Sequence, residues 1–518
     1  MIQKQISGRK LALILAGVMA SLLLSALDST IVSTAMKKTV ETLGGMKYYS
    51  WPFTIYMLCS TLTIPICGGL SDIYDHKPMF VIGISVFLAG SVLCGISQSM
   101  LQLIIFRGLQ GIGGGMIVTS VFTVVADLFE PAKRGKFTGI VTSMYGLASI
   151  IGPLSGGFIT DHFGWRWIFF INIPLGIAAV ALIVVTMPGF KSGETKKQVD
   201  FIGIIVLVLA LTPLLLDLSM SGDNFAWFSF PCISMFVITG LMLSVFIMVE
   251  KRVANPLIPL SFFKDRAISI SFLISFLSQA MMFSAIMYLP YFVQGIIGST
   301  ATTSGAVVTP MMLGLLFSSN VTGFLVSKFG KARVLSVAAF TIMAAGALLL
   351  STMGSGTTYS WAILFMVILG VGVGICMPIT NVNAQNAVAK QQIGSVTSAV
   401  MFFRNMGSTI GSAVFGVIMA RSLSSGLSGL NMQRLPEKVQ GMLKNTQTLT
   451  NAKAIASIRA NVPKAYTGYF ESIYLQAKDV LAHSIHNVFL FCVPIALLGL
   501  IVAIFLREAD MEAKELQG

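Results

Sequence analysis

Apolar residues run along this chain in long blocks, each close to the roughly 20 residues that carry a helix across a bilayer. From Leu11 to Met36 the only charge is Asp28. Fourteen such blocks lie near 11–37, 48–74, 78–97, 99–128, 136–161, 165–189, 200–220, 226–250, 267–293, 301–328, 333–353, 359–387, 394–421 and 485–506. They lack the strict apolar/polar alternation of a barrel strand, so helices are the expected spanning element. The pattern predicts an all-α integral membrane protein of 14 transmembrane helices.

Polar residues between the blocks set the orientation. His76 and Lys77, then Lys133, Arg134 and Lys136, then Lys191, Lys196 and Lys197 alternate with nearly uncharged loops such as SQSM. Lys251, Arg252, Lys264 and Arg266, then Lys328, Lys331 and Arg333, continue the alternation. Basic loops stay on the cytoplasmic side, and an even number of spans places both termini there. Residues 422–484 break the pattern with seven Lys and Arg on the expected outside. The rule weakens for loops of about 60 residues. PEKVQGMLKN and YTGYFESIYLQAKDVLAHS read as helical, so this loop is either an ordered helical pair or a solvated spacer.

Composition agrees. Of 518 residues 55% are hydrophobic and 10% charged, against about 25% charged in soluble domains. Mean hydropathy is +0.85. The net charge of +14 sits in short inter-span clusters, a topology signal that excludes nucleic acid as the expected partner. The six cysteines fall in or at the edges of apolar blocks without ligand spacing, so neither disulfide nor metal site is expected. The basic start and first apolar run resemble a signal peptide. The run is too long and lacks a small-residue cleavage site, so it reads as a retained first helix.

The chain also repeats itself. GGLSDIYDHK ends the second span and GFLVSKFGKAR the tenth; QGIGGGM in the fourth mirrors LGVGVGICM in the twelfth. Weak internal symmetry marks transporters built from repeats. The seventh and eighth spans have no counterpart. The expected division is a six-helix half over 1–189, an inserted helix pair over 190–266, and a second six-helix half over 267–518 that contains loop 422–484.

These residues resemble the major facilitator superfamily, and within it the fourteen-helix drug:proton antiporter branch. Gly68, Leu70, Asp72, His76 and Lys77 resemble the superfamily's loop motif, a cytoplasmic charge latch that Asp127 completes. Here Ile73, Asp75 and His76 replace its usual basic residue, glycine and arginine. LIIFRGLQGIGGGM is similar to the fourth-helix motif through Arg107, Gln110 and Gly111, and the resemblance ties that arginine to proton coupling. GIVTSMYGLASIIGPLSGGF resembles the antiporter motif, which accompanies export. Gly139, Gly152, Pro153, Gly156 and Gly157 carry it. WRWIFFINIPLG and LDSTIVSTA resemble branch signatures, with Asp28 as the acid of the second. The same resemblance places Tyr56 and Tyr145 on cavity-facing helices.

A carboxylate at mid-bilayer costs at least about 2.5–3.5 kcal/mol, so Asp28 is expected to be functional. Desolvation favours its protonated form and a nearby cation its charged form, which lets an alternately exposed group load and release a proton. Asp28 can also pair with a cationic substrate, so that proton and drug compete for one site. A structural hydrogen bond to Ser25, Ser29 or Thr30 is the plainer alternative. Arg107 stays protonated and can only tune an acid or orient water. Arg404, in FFRNMGSTIG, could neutralise Asp28, bind an anionic substrate moiety, or hold backbone carbonyls. Asp217 reads as a solvated or lipid-boundary residue. The second half has no acid in its spans, so its amides and hydroxyls, with Gln279 and Asn381 among them, are expected to shape a pocket. Met282 and Tyr288 add an adaptable wall, with packing as the alternative. Gln110 is a further contact candidate.

No ATP-binding motif occurs, and GIGGGM lacks the strand and Lys-Ser/Thr of a phosphate loop. The expectation is a monomeric, cofactor-free, multi-pass exporter of amphipathic drugs, driven by protons across a bacterial cytoplasmic membrane. It is not an enzyme. An exporter of one metabolite or lipid and a non-transporting membrane sensor are the alternatives.

Overall fold

The structure is a computed structural model that describes residues 7–44, 48, 51–71, 73–189, 200–220, 229–253, 256–297, 301–354, 356–389, 392–432 and 466–507, with isolated positions between the last two ranges. It is all-helical. Helices α1 (Gly8–Leu43), α2 (Trp51–Ser71), α3 (His76–Ile96), α4 (Met100–Leu128) and α5 (Pro131–His162) lead into a short α6 (Trp167–Phe170) and α7 (Asn172–Thr186). Then come α8 (Phe201–Met220), α9 (Phe230–Glu250), α10 (Arg266–Phe292), α11 (Ala301–Phe329), α12 (Ala332–Ser351), α13 (Tyr359–Asn386), α14 (Ile393–Ser428) and α15 (Thr467–Ile504).

Among the described residues thirteen segments are long and apolar enough to cross a membrane, with α6 and α7 forming one of them. The fourteenth expected span is α5, which is long but rich in Gly, Ser and Thr. It packs between α1 and α11, where protein replaces lipid around those residues. Helix starts follow local chemistry. Asp75 accepts from Lys77 N at 3.0 Å to cap α3, Ser99 accepts from Gln102 N at 3.3 Å to cap α4, and Asp265 accepts from Ala267 N at 2.8 Å to cap α10.

The sixth span runs from Trp167 to Thr186 as expected, with Ile171 in helical conformation between α6 and α7. One expected boundary is corrected. Segment 422–484 is not one loop. Helix α14 continues to Ser428 and α15 starts at Thr467, not near 485. At 1.5 Å per residue, their 36 and 38 residues span about 54 and 57 Å, well past an apolar core of about 30 Å. The projecting turns are held by their own apolar contacts, among them Leu427, Met432, Ile458, Phe470 and Ile473. Of PEKVQGMLKN, positions 436–438 and 442–445 lie outside the described residues.

The first-half helices pack α3 on α4, α2 on α4 and α1 on α5; the second-half helices pack α11 on α13, α10 on α14 and α12 on α15. Helices α8 and α9 pair with each other, and α8 leans on α2. Contact across the halves runs along α5–α11 and α2–α14. It is tight toward the basic-loop end. A Cβ added to Gly139 would sit 2.6 Å from Ser319 O, so only glycine fits there. Nearby, Lys136 N donates to Ser327 Oγ at 2.8 Å, and Arg134 Nη1 donates to Asn386 Oδ1 at 3.2 Å.

Candidate functional site

Asp28 lies on α1 with no exposed surface, and Arg107 on α4 is 1% exposed. Their side chains form an ion pair, Arg107 Nη1 to Asp28 Oδ2, at 2.5 Å. Two amides complete the shell of the carboxylate. Gln110 Nε2 donates to Asp28 Oδ1 at 2.8 Å, and Asn172 Nδ2 donates to the same oxygen at 3.0 Å. Helical spacing brings Gln110 beside Arg107, and Arg107 Nη1 also donates to Gln110 Oε1 at 2.8 Å. Behind them Ser91 of α3 accepts from Gln110 Nε2 at 3.2 Å and from Asn172 Nδ2 at 2.9 Å, while its hydroxyl donates to Phe169 O at 2.9 Å. This approach needs Gly90, because a Cβ there would stand 2.6 Å from Gln110 N.

The guanidinium is held on its other side by α2. Arg107 Nε donates to Pro52 O at 3.4 Å, and the group lies 4.2 Å from the centre of the Tyr56 ring. The Tyr56 hydroxyl lies 3.4 Å from Ser25 Oγ. Five helices thus converge on one charge pair that is neutral overall. Asn172 Oδ1 is buried without a hydrogen-bond partner among the described residues. Adding or removing one proton in such a network changes its net charge by one.

Of the alternatives open for Arg404, neutralising Asp28 is taken by Arg107. Arg404 itself, on α14, is 6% exposed. Its Nη2 donates to Met377 O at 3.3 Å and Thr380 Oγ1 at 3.4 Å, and its Nη1 reaches Met401 Sδ at 3.4 Å. It enters none of the ion pairs among the described residues. Asn381 on α13 is fully buried, with Nδ2 donating to Met377 O at 3.3 Å. Gln279, Met282 and Tyr288 on α10 are buried, the last two within the apolar core of the second half. Tyr145 on α5 is half-buried and within electrostatic reach of Arg404. Asp217 is buried, 3.4 Å from the Cys232 thiol in the α8–α9 pair, rather than solvated at a boundary.

At the basic-loop end His76 Nδ1 pairs with Asp127 Oδ2, and His76 Nε2 meets Ser71 O at 2.7 Å. Lys77 points elsewhere, its Nζ donating to Val184 O at 2.9 Å and Met187 O at 2.8 Å. Asp72 lies outside the described residues. On α5, Gly139 meets α11 and Gly152 meets Thr30 of α1, while Gly157 has open space around it. Gly156 is buried; the backbone stays helical through Pro153, whose side chain is outside the described residues.

Sequence reasoning passed over Ser91, Asn172 and the Arg134–Asn386 bridge. Asn172 carried one usable signal, a lone amide two residues before Pro174 in an apolar span.

Comparison with known proteins identifies the family of the chain. The sequence profile of the Major Facilitator Superfamily matches residues 18–412. The chain is 36% identical to Multidrug transporter protein MdtP of Bacillus subtilis (strain 168), over 98% of this chain and 95% of that one. It is 34% identical to Multidrug resistance protein 3 of the same organism, over 96% and 95%. The crystal structure of the human organic anion transporter MFSD10 (TETRAN) superposes with a TM-score of 0.62 over 95% of this chain and 99% of that one; at 13% identity the likeness is one of fold alone. The chain belongs to the major facilitator superfamily, whose members are membrane transporters and not enzymes.

Proposed function

We propose that this transporter is a proton-coupled antiporter exporting amphipathic, hydrophobic compounds across a bacterial cytoplasmic membrane, with both termini in the cytoplasm. It works as a monomer. The relatives named as multidrug proteins support the export of several compounds. The observation that carries the reading is the wholly enclosed Asp28–Arg107 pair with its Gln110 and Asn172 donors.

In this reading Asp28 takes the proton. A protonated Asp28 no longer balances Arg107, and the guanidinium is left with Gln110 Oε1, Pro52 O and the Tyr56 ring, contacts it already makes. Because α1, α2 and α4 all meet at that pair, one proton alters how three helices of one half pack. Asp28 has no exposed surface, so substrate and proton communicate through Arg107 and these helices rather than by sharing the carboxylate.

The two six-helix halves, 1–189 and 267–518, rock against each other around a central site, the usual form of alternating access in repeat-built transporters. The close approach at Gly139, the Lys136–Ser327 bond and the Arg134–Asn386 bond support assigning this arrangement to the state closed on the basic-loop side. His76 and Asp127 latch that side within the first half, and the glycines of α5 let it slide past its neighbours.

The test is substrate uptake into proteoliposomes. An imposed pH gradient is expected to concentrate one or more members of a panel of amphipathic, hydrophobic compounds, and a protonophore to abolish the effect. Uptake of every compound unaffected by the protonophore would refute proton coupling. In cells, resistance to several compounds is expected; protection against one alone would favour a dedicated exporter.

A further inference from the structure

The two buried arginines differ in one respect, their counter-charge. Arg107 is cancelled by Asp28. Arg404 forms no ion pair with an acid among the described residues, and no Asp or Glu occurs between Asp265 and Glu437. The titratable side chains within its electrostatic reach are Tyr145, a phenol, and Cys376, a thiol. Among the described residues it hydrogen-bonds only to a carbonyl, a hydroxyl and a thioether. A guanidinium has five N–H donors. Three are engaged, one of them by a weakly accepting sulfur, which leaves Nε–H and one Nη1–H without a protein acceptor among the described residues.

Its position matters as much as its charge. Tyr145 belongs to α5 of the first half, and Arg404 to α14 of the second. The arginine therefore lies where the halves face each other, the place where repeat-built transporters hold their cargo. The neighbouring face of α14 carries Asn405, Thr409 and Ser412, all half-buried polar residues at helical spacing, with Asn405 Nδ2 donating to Thr61 Oγ1 of α2 at 3.4 Å. Polar side chains at such a depth face a protein-lined space rather than lipid.

We infer that Arg404 is the counter-charge for the substrate, and that this transporter selects amphipathic molecules bearing one anionic oxygen group, such as a carboxylate, over their cationic analogues. The buried centre has a net charge of plus one, since Asp28 and Arg107 cancel and Arg404 does not. An apolar cation would add a second positive charge to that space, whereas a carboxylate removes the first and accepts the two unused N–H groups. Planar forked recognition of carboxylates is what a guanidinium does best. The aromatic ring of Tyr145 and the methionines around Arg404 suit an apolar body attached to that group. The inference rests on the export reading for its biological sense, but its test does not.

The test is equilibrium binding to the purified full-length protein in nanodiscs, with no gradient present. Fluorescence reports on three probes of one shape: 1-pyrenebutyrate, its methyl ester and a pyrenebutyl trimethylammonium. The parent is expected to bind the carboxylate about tenfold or more tighter than the ester, the scale of one charge-assisted hydrogen-bonded contact. Arg404→Gln is expected to bring carboxylate and ester to within about twofold while leaving ester binding in place, and Arg404→Lys to restore part of the difference. A parent that binds the ammonium as tightly as the carboxylate would overturn the inference, and this reading needs no variant to fold. So would a carboxylate preference that survives Arg404→Gln. Loss of proton coupling with the anion preference intact would instead count against the coupling mechanism alone.

Discussion

Asn172 Nδ2 stands 3.0 Å from Asp28 Oδ1, although 144 positions separate the two in the chain. The contact joins α7 to α1, with Asn172 at the start of α7 turning its amide to the carboxylate. The same amide donates to Ser91 Oγ, so α1, α3 and α7 are tied at one point. Asn172→Ala is expected to cost about 1.5–3 kcal/mol of stability, the range for a hydrogen bond to a charged group, and to slow substrate-driven proton movement. Thermal unfolding in detergent and proteoliposome flux measure the two effects. Asn172→Asp should be worse, since it sets a second carboxylate against the first.

Removing one partner of the buried pair should hurt more than removing both charges. Arg107→Ala leaves Asp28 enclosed and unbalanced, an expected loss of about 3–5 kcal/mol. The double substitution Asp28→Asn with Arg107→Gln should recover much of that stability and none of the coupled transport. A double-mutant cycle on unfolding temperature and on proton flux separates the two roles. Recovery of flux along with stability would mean the pair is only structural.

Gly139→Ala places a methyl group 2.6 Å from Ser319 O, where the α5 and α11 backbones cannot both stay. The expected result is a shift toward the arrangement open at the basic-loop end. Cysteines introduced at Lys136 and Ser327, whose backbone and hydroxyl now meet at 2.8 Å, should cross-link readily in the parent background and poorly beside Gly139→Ala.

The His76 ring meets an acceptor at each nitrogen, Asp127 Oδ2 and Ser71 O. An imidazolium donates to both; a neutral ring donates to one. His76→Arg, which restores the residue usual in the motif, is expected to keep transport, while His76→Ala should lower the maximal rate several-fold with little change in substrate affinity. Equal affinity loss in both variants would place His76 in substrate binding instead.

Charge in an apolar run is the easiest signal to read, which is why Asp28 and Arg107 were each legible before any fold was known, while Gln110 entered through the motif resemblance and nothing in the sequence joined the three. Their partners were not. Ser91 and Asn172 are neutral polar residues of kinds common in membrane helices, and only the packing of α3, α4 and α7 shows that both turn inward. Boundaries failed for a related reason. The turns over Thr467–Gln476 read as helical in the sequence, but a search for apolar length did not join them to the last span, which the structure shows as one helix from Thr467. Arg404 illustrates the limit from the other side. The sequence marked it as buried, but its three possible roles could be separated only after Arg107 was found on Asp28.

The most direct test of the account is proton movement driven by substrate in proteoliposomes, comparing the parent with Asp28→Asn at equal protein and substrate loading. The account predicts that the parent moves protons against substrate and that Asp28→Asn, still folded and still able to bind the probe, moves none. Equal proton movement in the two proteins would contradict it, leaving Asp28 a structural partner of Arg107 and placing the coupling group elsewhere.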